Sequence, residues 1–237
     1  MTFSFVAGRR DLTVDLSFSP FKGGIKAVAF DLDGTLCDSI GQIVQCAQLS
    51  FKALKLPCPN ELAIKGIIGK KLQEGLESLL PPDLVPAFGD KVTQVYRDTF
   101  AQLPEIRETR LFPWVPALLA HLKDRGLKIA FASGKSRRGI ERSLNESILG
   151  DYCTVYCAGD EVPSKPDPAM ARVVAQRLHL PCAAILGVGD AGMDVELFQN
   201  ASCVSCGVQS GVWSGEALLQ LKPNLLLPHA GALMDFL

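Results

Sequence analysis

Six short apolar runs alternate with helix-like segments, and this alternation constrains the chain of 237 residues more tightly than any other feature. The runs are IKAVAFDLDG (25–34), LKIAFAS (127–133), YCTVYCAGD (152–160), AAILGVGD (183–190), SCVSCGV (202–208) and NLLLP (224–228). Nearly continuous apolar stretches of this length read as strands buried on both faces. Between them lie segments with apolar residues at helical spacing, such as VPALLAHLKDRG, PAMARVVAQRLHL and GEALLQL. Strands and helices in alternation predict βαβ units, and hence an α/β fold with a doubly wound parallel sheet covered by helices on both faces.

Residues 38–111 break the rhythm. They read as helices only (IGQIVQCAQLSFKALKL, NELAIKGII, KKLQEGLESLL and a longer one around DKVTQVYRDTFAQL), punctuated by Pro57, Pro59 and Pro81-Pro82. The expectation is a small all-helical domain inserted after the first core strand. The core is then residues 25–37 and 112–237, with residues 1–24 as an N-terminal extension. That extension holds either an extra edge strand, over LTVDLSF, or a loose arm. Phe112-Pro113-Trp114 marks the return of the chain to the core, with Trp114 in the core or at the rim.

Bulk properties exclude several classes of function. The formal net charge is −1, and no basic cluster exceeds Lys135 to Arg138, so nothing calls for nucleic acid or an anionic membrane. No apolar run reaches the ~20 residues of a membrane span. The start of the chain has its arginines after the apolar stretch, the reverse of a secretory signal. A cytoplasmic protein is expected. The eight cysteines are scattered through a chain too large and too rich in core residues to be a disulfide scaffold. Cys203 and Cys206 form a CxxC, but in a strand they point to opposite faces, and no second pair completes a zinc site. They are read as buried fillers, as are Cys153 and Cys157.

The informative polar residues stand at strand ends, where open α/β sheets bind ligands. Asp31 and Asp33 follow the first strand, Ser133 ends the second, and Asp190 ends AAILGVGD; Lys165 sits in the loop EVPSKPDP. Each has a bland reading alone. Asp33-Gly34 is ordinary turn chemistry, Ser133 and Asp190 suit helix caps, and Lys165 suits a solvated loop. Their arrangement is another matter. FDLDGTLCDS, ASGK, SKPDP and VGDAGMD, in that order and on those elements, resemble the four signature motifs of the haloacid dehalogenase superfamily of phosphohydrolases. The resemblance runs from about Ile25 to the C-terminus. The helical insertion resembles the small cap of the phosphoglycolate-phosphatase-like branch.

The resemblance implies a Rossmann-like core and a Mg²⁺-dependent phosphatase acting on a small phosphorylated metabolite, as a monomer or homodimer. Asp31 is then the nucleophile that forms an aspartyl-phosphate, splitting one slow step into two. Asp33 is the general acid and base, Ser133, Gly134, Lys165 and Gly34 hold the phosphate, and Asp31, Asp190 and the Asp33 carbonyl bind the metal. Asp194 binds a metal water or orients Lys165. Magnesium takes oxygen ligands, including one or two carboxylates, and it offsets the repulsion between an attacking carboxylate and a phosphate dianion. Substrate choice falls to the insert, at the corner Gly66-Ile-Ile-Gly69-Lys70-Lys71, where Gly69 and Lys70 are the expected contacts. One departure stands out. The family usually has Asn after the Ser or Thr of the second motif, and this chain has Gly134, which predicts a lost side-chain contact and a looser loop. Cys37 replaces a small apolar residue and is read as a filler; His121, His179 and His229 have no acid or thiol partners in the pattern. A phosphomutase, a phosphonate hydrolase using Lys70 or Lys71, and an inactive regulatory protein are the alternatives on the same fold.

Overall fold

The computed structural model describes residues 24–237; the expected strand or arm over LTVDLSF lies outside them. Six strands form one parallel sheet: β1 (Ala27–Phe30), β2 (Lys128–Ser133), β3 (Val155–Ala158), β4 (Ile185–Gly189), β5 (Val204–Val208) and β6 (Leu225–Leu227). Each lies within one of the six apolar runs. The order across the sheet is β3-β2-β1-β4-β5-β6. The chain thus winds outward from β1 in one direction, then returns to lay β4 against its other side. β1 and β4 flank the switch point of a doubly wound sheet, where a crevice opens beyond the strand ends.

The alternation of side chains within the strands decides how each face is covered. Val28 and Phe30 of β1, Ile129 and Phe131 of β2, and Leu186 and Val188 of β4 share one face. Helix α6 (Val115–Asp124) packs on it through Val115, Leu118, Leu119 and Leu122, joined by Ile140 of α7 (Arg137–Asn145) and Leu149 of α8 (Leu149–Tyr152). The opposite face carries Ala27, Ala29, Ala130 and Ala132 and is covered by α9 (Ala169–Leu178) and α10 (Gly192–Asn200). Small side chains on this face let these two helices approach closely, and the Phe198 ring of α10 lies directly on Gly187 of β4. Helix α11 (Gly215–Gln220) leads into β6. Cys206 belongs to the first apolar cluster and Cys203 to the second, on opposite faces as a strand requires.

Within residues 38–111 the chain forms five helices: α1 (Ile40–Ala53), α2 (Glu61–Lys65), α3 (Leu72–Glu77), α4 (Val85–Gln102) and α5 (Pro104–Arg107). They bury an apolar cluster of their own, including Phe51, Ile64, Leu76, Val92 and Ile106. The outgoing and returning chains run side by side, Cys37 bridging to Leu111 and the Asp38 amide donating to the Arg110 carbonyl at 2.8 Å. Trp114 packs against the larger core cluster, stacked between Phe112 (4.7 Å) and His229 (4.3 Å). No described helix is long and apolar enough to cross a membrane.

The close packing over the alanine face gives a direct test. Ala29→Leu inserts a larger side chain where α9 and α10 leave no room, so urea unfolding should show a loss of about 1–3 kcal/mol. An unchanged midpoint would mean that this face is not tightly packed.

Candidate active site

The crevice beyond β1 and β4 gathers four charged side chains that the sequence scatters over 164 positions. Asp31, Asp190, Asp194 and Lys165 are all at least 96% buried there. Lys165 Nζ lies 2.7 Å from Asp31 Oδ1 and 2.6 Å from Asp194 Oδ1, so one ammonium ties two carboxylates. Oxygen atoms of Asp31, Asp190 and Asp194 all lie within 4.8 Å of one another.

Local structure explains these positions. The Asp31 amide continues the sheet, donating to the Val188 carbonyl at 2.9 Å, which fixes the start of the loop against β4. Gly34 then takes a left-handed turn (φ 82°), and a Cβ there would meet Asp190 Oδ2 at 2.5 Å. Both constraints require glycine. The turn brings Thr35 beneath Asp190, where its Oγ1 donates to Oδ1 at 2.8 Å; the Val212 amide donates to Oδ2 at 2.9 Å. Asp190 therefore does not cap α10. Asp194 takes that place, its Oδ2 accepting from the Ala191 amide at 3.1 Å.

Asp33 points to a different neighbourhood. Its Oδ1 accepts from Lys135 Nζ at 2.7 Å and from Ser39 Oγ at 2.5 Å. Ser133 is buried at the end of β2, and its Oγ accepts from the Lys135 amide at 3.3 Å. Thr35, Ser39 and Lys135 were not singled out from sequence as site residues. Lys135 follows Gly134 in ASGK, and that adjacency is the signal the sequence offers for it.

The expectation of a looser loop at Gly134 is corrected by the packing around it. A Cβ on Gly134 would lie 2.8 Å from the Lys70 carbonyl oxygen and closer still to that of Gly69. The space of a side chain is filled by the backbone of the α2–α3 corner. That corner touches the core twice more. Met193 Sδ lies 2.9 Å from the Cβ position of Gly69, and Ser164 Oγ donates to Glu74 Oε2 at 2.5 Å. The three contacts adjoin Ser133, Asp194 and Lys165. Lys71 pairs with Glu74 at 3.7 Å, while Lys70 presents its carbonyl to the core. A cavity of about 1020 Å³ extends from Asp31 and Asp33 past Gly69, Lys70 and Lys135.

The electrostatics are unbalanced. Three carboxylates face one ammonium, a deficit of two positive charges. Burial lifts the Asp31 carboxyl to about 7, with Lys165 opposing and Asp194 and Asp33 adding. Burial also pushes Asp190 well above its ordinary value, helped by Asp194 and Asp31. Burial would lower Lys165, but Asp194 and Asp31 reverse this and hold it above its usual range. Buried oxygen donors with two unmatched negative charges suit a hard divalent cation such as Mg²⁺. Cys37 is no competing nucleophile: burial, reinforced by Asp33, lifts its thiol to about 12, so it stays protonated.

These shifts fix the sign of a pH effect. Between about pH 4 and pH 7 the folded protein retains protons that the unfolded chain has released, so stability falls as pH rises through this window. A divalent cation relieves the repulsion and stabilises the fold by mass action. Added Mg²⁺ should therefore raise the thermal midpoint more at about pH 8 than at about pH 6, where it must first displace protons. Equal shifts at both pH values would count against cation binding by these carboxylates.

Comparison with known proteins gives a consistent picture. Residues 28–208 match the family model of haloacid dehalogenase-like hydrolases. A phosphoglycolate phosphatase of Yersinia pseudotuberculosis is 30% identical over 218 residues, covering 89% of this chain and 92% of that protein. One of Vibrio vulnificus is 26% identical over 220 residues, covering 89% and 95%. Among solved structures, a Bacteroides fragilis protein described as a haloacid dehalogenase-like hydrolase superposes with a TM-score of 0.81 at 27% identity, covering 88% of this chain and 99% of that one. A β-phosphoglucomutase of Clostridium difficile shares the fold, with a TM-score of 0.76 at 20% identity over 88% and 93% of the two chains.

Proposed function

The chain belongs to the haloacid dehalogenase-like hydrolases, and from that premise we propose that it is a Mg²⁺-dependent phosphatase. Its substrate is a small phosphorylated metabolite of the phosphoglycolate kind, and the reaction passes through an aspartyl-phosphate on Asp31. The observation that carries this reading is the buried set of Asp31, Asp190, Asp194 and Lys165 at the β1–β4 switch point. The relatives that are phosphoglycolate phosphatases support the substrate class.

Asp31 attacks phosphorus and the ester oxygen leaves, giving a phosphorylated carboxylate that water then hydrolyses. Asp33 carries the proton. Its Oδ1 is occupied by Lys135 and Ser39, so the proton is held on Oδ2, passed to the leaving oxygen and later recovered from the attacking water. Lys165 holds Asp31 in place and supplies fixed positive charge to the transferred group, with Asp194 fixing Lys165 in turn. The end of β2 offers Ser133 and the Gly134 amide to phosphate oxygens. Gly34 lets the chain turn tightly beside them. Asp31, Asp190 and the Asp33 carbonyl would hold Mg²⁺, with Asp194 acting through Lys165. When bound, the cation neutralises charge between the carboxylate and the phosphate.

Residues 38–111 serve as the cap in this reading, with 25–37 and 112–237 as the catalytic core and 1–24 as an extension. The α2–α3 corner, seated on Gly134, excludes water from the reacting phosphate. The cytoplasm, where small phosphorylated metabolites are found, is the proposed location.

Asp31→Asn should lower turnover of an aryl phosphate by about 10³-fold or more. Its ion-free thermal midpoint should match or exceed that of the unaltered protein, because a buried carboxylate with an unfavourable environment has been removed. Chelation should stop the reaction and Mg²⁺ should restore it. Substantial activity in the Asn variant would sink the nucleophilic role.

A further inference from the structure

The sequence sets Cys203 three residues from Cys206, but the strand sends the two to opposite faces of the sheet. Cys206 Sγ donates to the Gly207 carbonyl, and Cys46, Cys58 and Cys157 likewise donate to backbone carbonyls. Cys203 faces another sulfur. Its neighbour is Cys182, 21 positions earlier in the chain.

The sheet brings these two together. β4 and β5 are parallel neighbours with Leu186 opposite Val204, so Ile185 and Cys203 stand level at the entrances of the two strands. Cys182 begins a single 3-10 turn (Cys182–Ala184) that leads directly into Ile185, and this turn packs against β5. Both cysteines belong to the apolar packing under α9 and α10. Burial lifts the Cys203 thiol above its ordinary range, and Cys182 adds to this by proximity and as a hydrogen-bond partner. The two thiols differ in access. Cys203 is 7% exposed, whereas Cys182 is half-buried and lies between exposed Pro181 and Ala183. An oxidant from solvent meets Cys182 first, and Cys203 stands behind it as a resolving thiol.

We propose that Cys182 and Cys203 are a peroxide-responsive pair that closes to a disulfide and clamps the β4–α10–β5 unit. In the first step Cys182 Sγ attacks the O–O bond of a hydroperoxide. An S–O bond forms, the O–O bond breaks, and water or an alcohol leaves behind a sulfenic acid. In the second step Cys203 Sγ displaces the hydroxyl, which departs as water with the Cys203 proton while the S–S bond forms. Two thiols lose two electrons and the peroxide takes them up; a dithiol reductant reverses the change. The bridge closes a loop of 20 residues, 183–202, that holds β4, Asp190 and all of α10 with Asp194. That unit carries two of the three carboxylates whose charge is unmatched, and tying its ends restricts the unfolded chain. The carboxylates stand at the far end of β4, five residues and about 16 Å away, so the bridge leaves their geometry as it is. The competing account is a pair of core fillers, which has no need of a route to solvent. The inference does not depend on the phosphatase reading.

The test treats the 237-residue chain with hydrogen peroxide in the absence of divalent cations and maps its thiols by mass spectrometry of a non-reducing digest. A linked Cys182–Cys203 peptide pair should appear, and dithiothreitol should abolish it. The thermal midpoint should rise by about 5–10 °C on oxidation and return on reduction. Cys182→Ser and Cys203→Ala should each remove both the linked pair and the shift. Diamide, which forms disulfides without making sulfinic acid, serves as a second oxidant. No linked pair with either oxidant overturns the proposal, whether Cys182 stays free, is carried to sulfinic acid or bridges to the exposed Cys58 of a second molecule. Linkage by diamide alone rejects the peroxide response, and a linked pair with an unchanged or lowered midpoint rejects the clamp.

Discussion

One ammonium shared between two buried carboxylates, with a third alongside, is the constraint around which this molecule is arranged. Lys165 cannot neutralise Asp31, Asp190 and Asp194 together. Burial raises the cost of every unmatched charge, and the loops must be rigid to keep the carboxylates from relaxing apart. The fold supplies that rigidity at the point where strand order reverses. The Asp31 backbone is pinned to β4, Asp190 is held by Thr35 and by the Val212 amide, and Asp194 is locked into the first turn of α10. The fold sustains this concentration of negative charge because the sheet beneath it is packed on both faces by large apolar clusters.

The two acids after β1 differ in surroundings as much as in direction. Asp31 faces Lys165 in a buried recess. Asp33, two residues on, turns toward Lys135 and Ser39 at the cavity wall. The left-handed turn at Gly34 forces the chain to double back immediately after Asp33, which sends its side chain away from the recess. Two carboxylates of identical chemistry are thereby given environments suited to different tasks, the general route by which a single site runs nucleophilic and proton-transfer steps together.

Much of the core was legible because its signals are local. Each strand is an apolar run, and each strand-end acid is adjacent to such a run. Helix α7 was not legible in the same way: RRGIERSLN buries only Ile140 and Ser143, so its periodicity is nearly invisible. The supporting cast of the site was hidden for a different reason. Thr35 and Asp190 are 155 positions apart, and Ser164 and Glu74 are 90 apart, so no spacing rule connects them. Gly134 shows the limit most clearly. Read along the chain it was a residue with something missing, whereas in space its vacancy is filled by the carbonyls of Gly69 and Lys70. The absence of a side chain there is a packing requirement of the insert and has no signature in the core sequence alone.

That contact also bears on how specificity and chemistry are divided. The α2–α3 corner rests beside Ser133, Lys165 and Asp194, so in the proposed reading a displacement of the insert would open the reacting centre to water. The cavity of about 1020 Å³ extends well beyond what a phosphate group fills. Most of its wall therefore meets the remainder of the substrate, which takes no part in bond making. In the proposed reading, interactions made there would stabilise the seated position of the insert, and the seated insert would exclude water around the carboxylates and the phosphate. Binding energy from the non-reacting part of a substrate is in this way converted into a drier and better ordered reacting centre. A molecule that is only a phosphate reaches the carboxylates but gives the insert no reason to stay closed. Under the proposed function, discrimination among phosphate esters would then depend on the insert wall, and the four charged residues at the switch point could remain indifferent to what the phosphate is attached to.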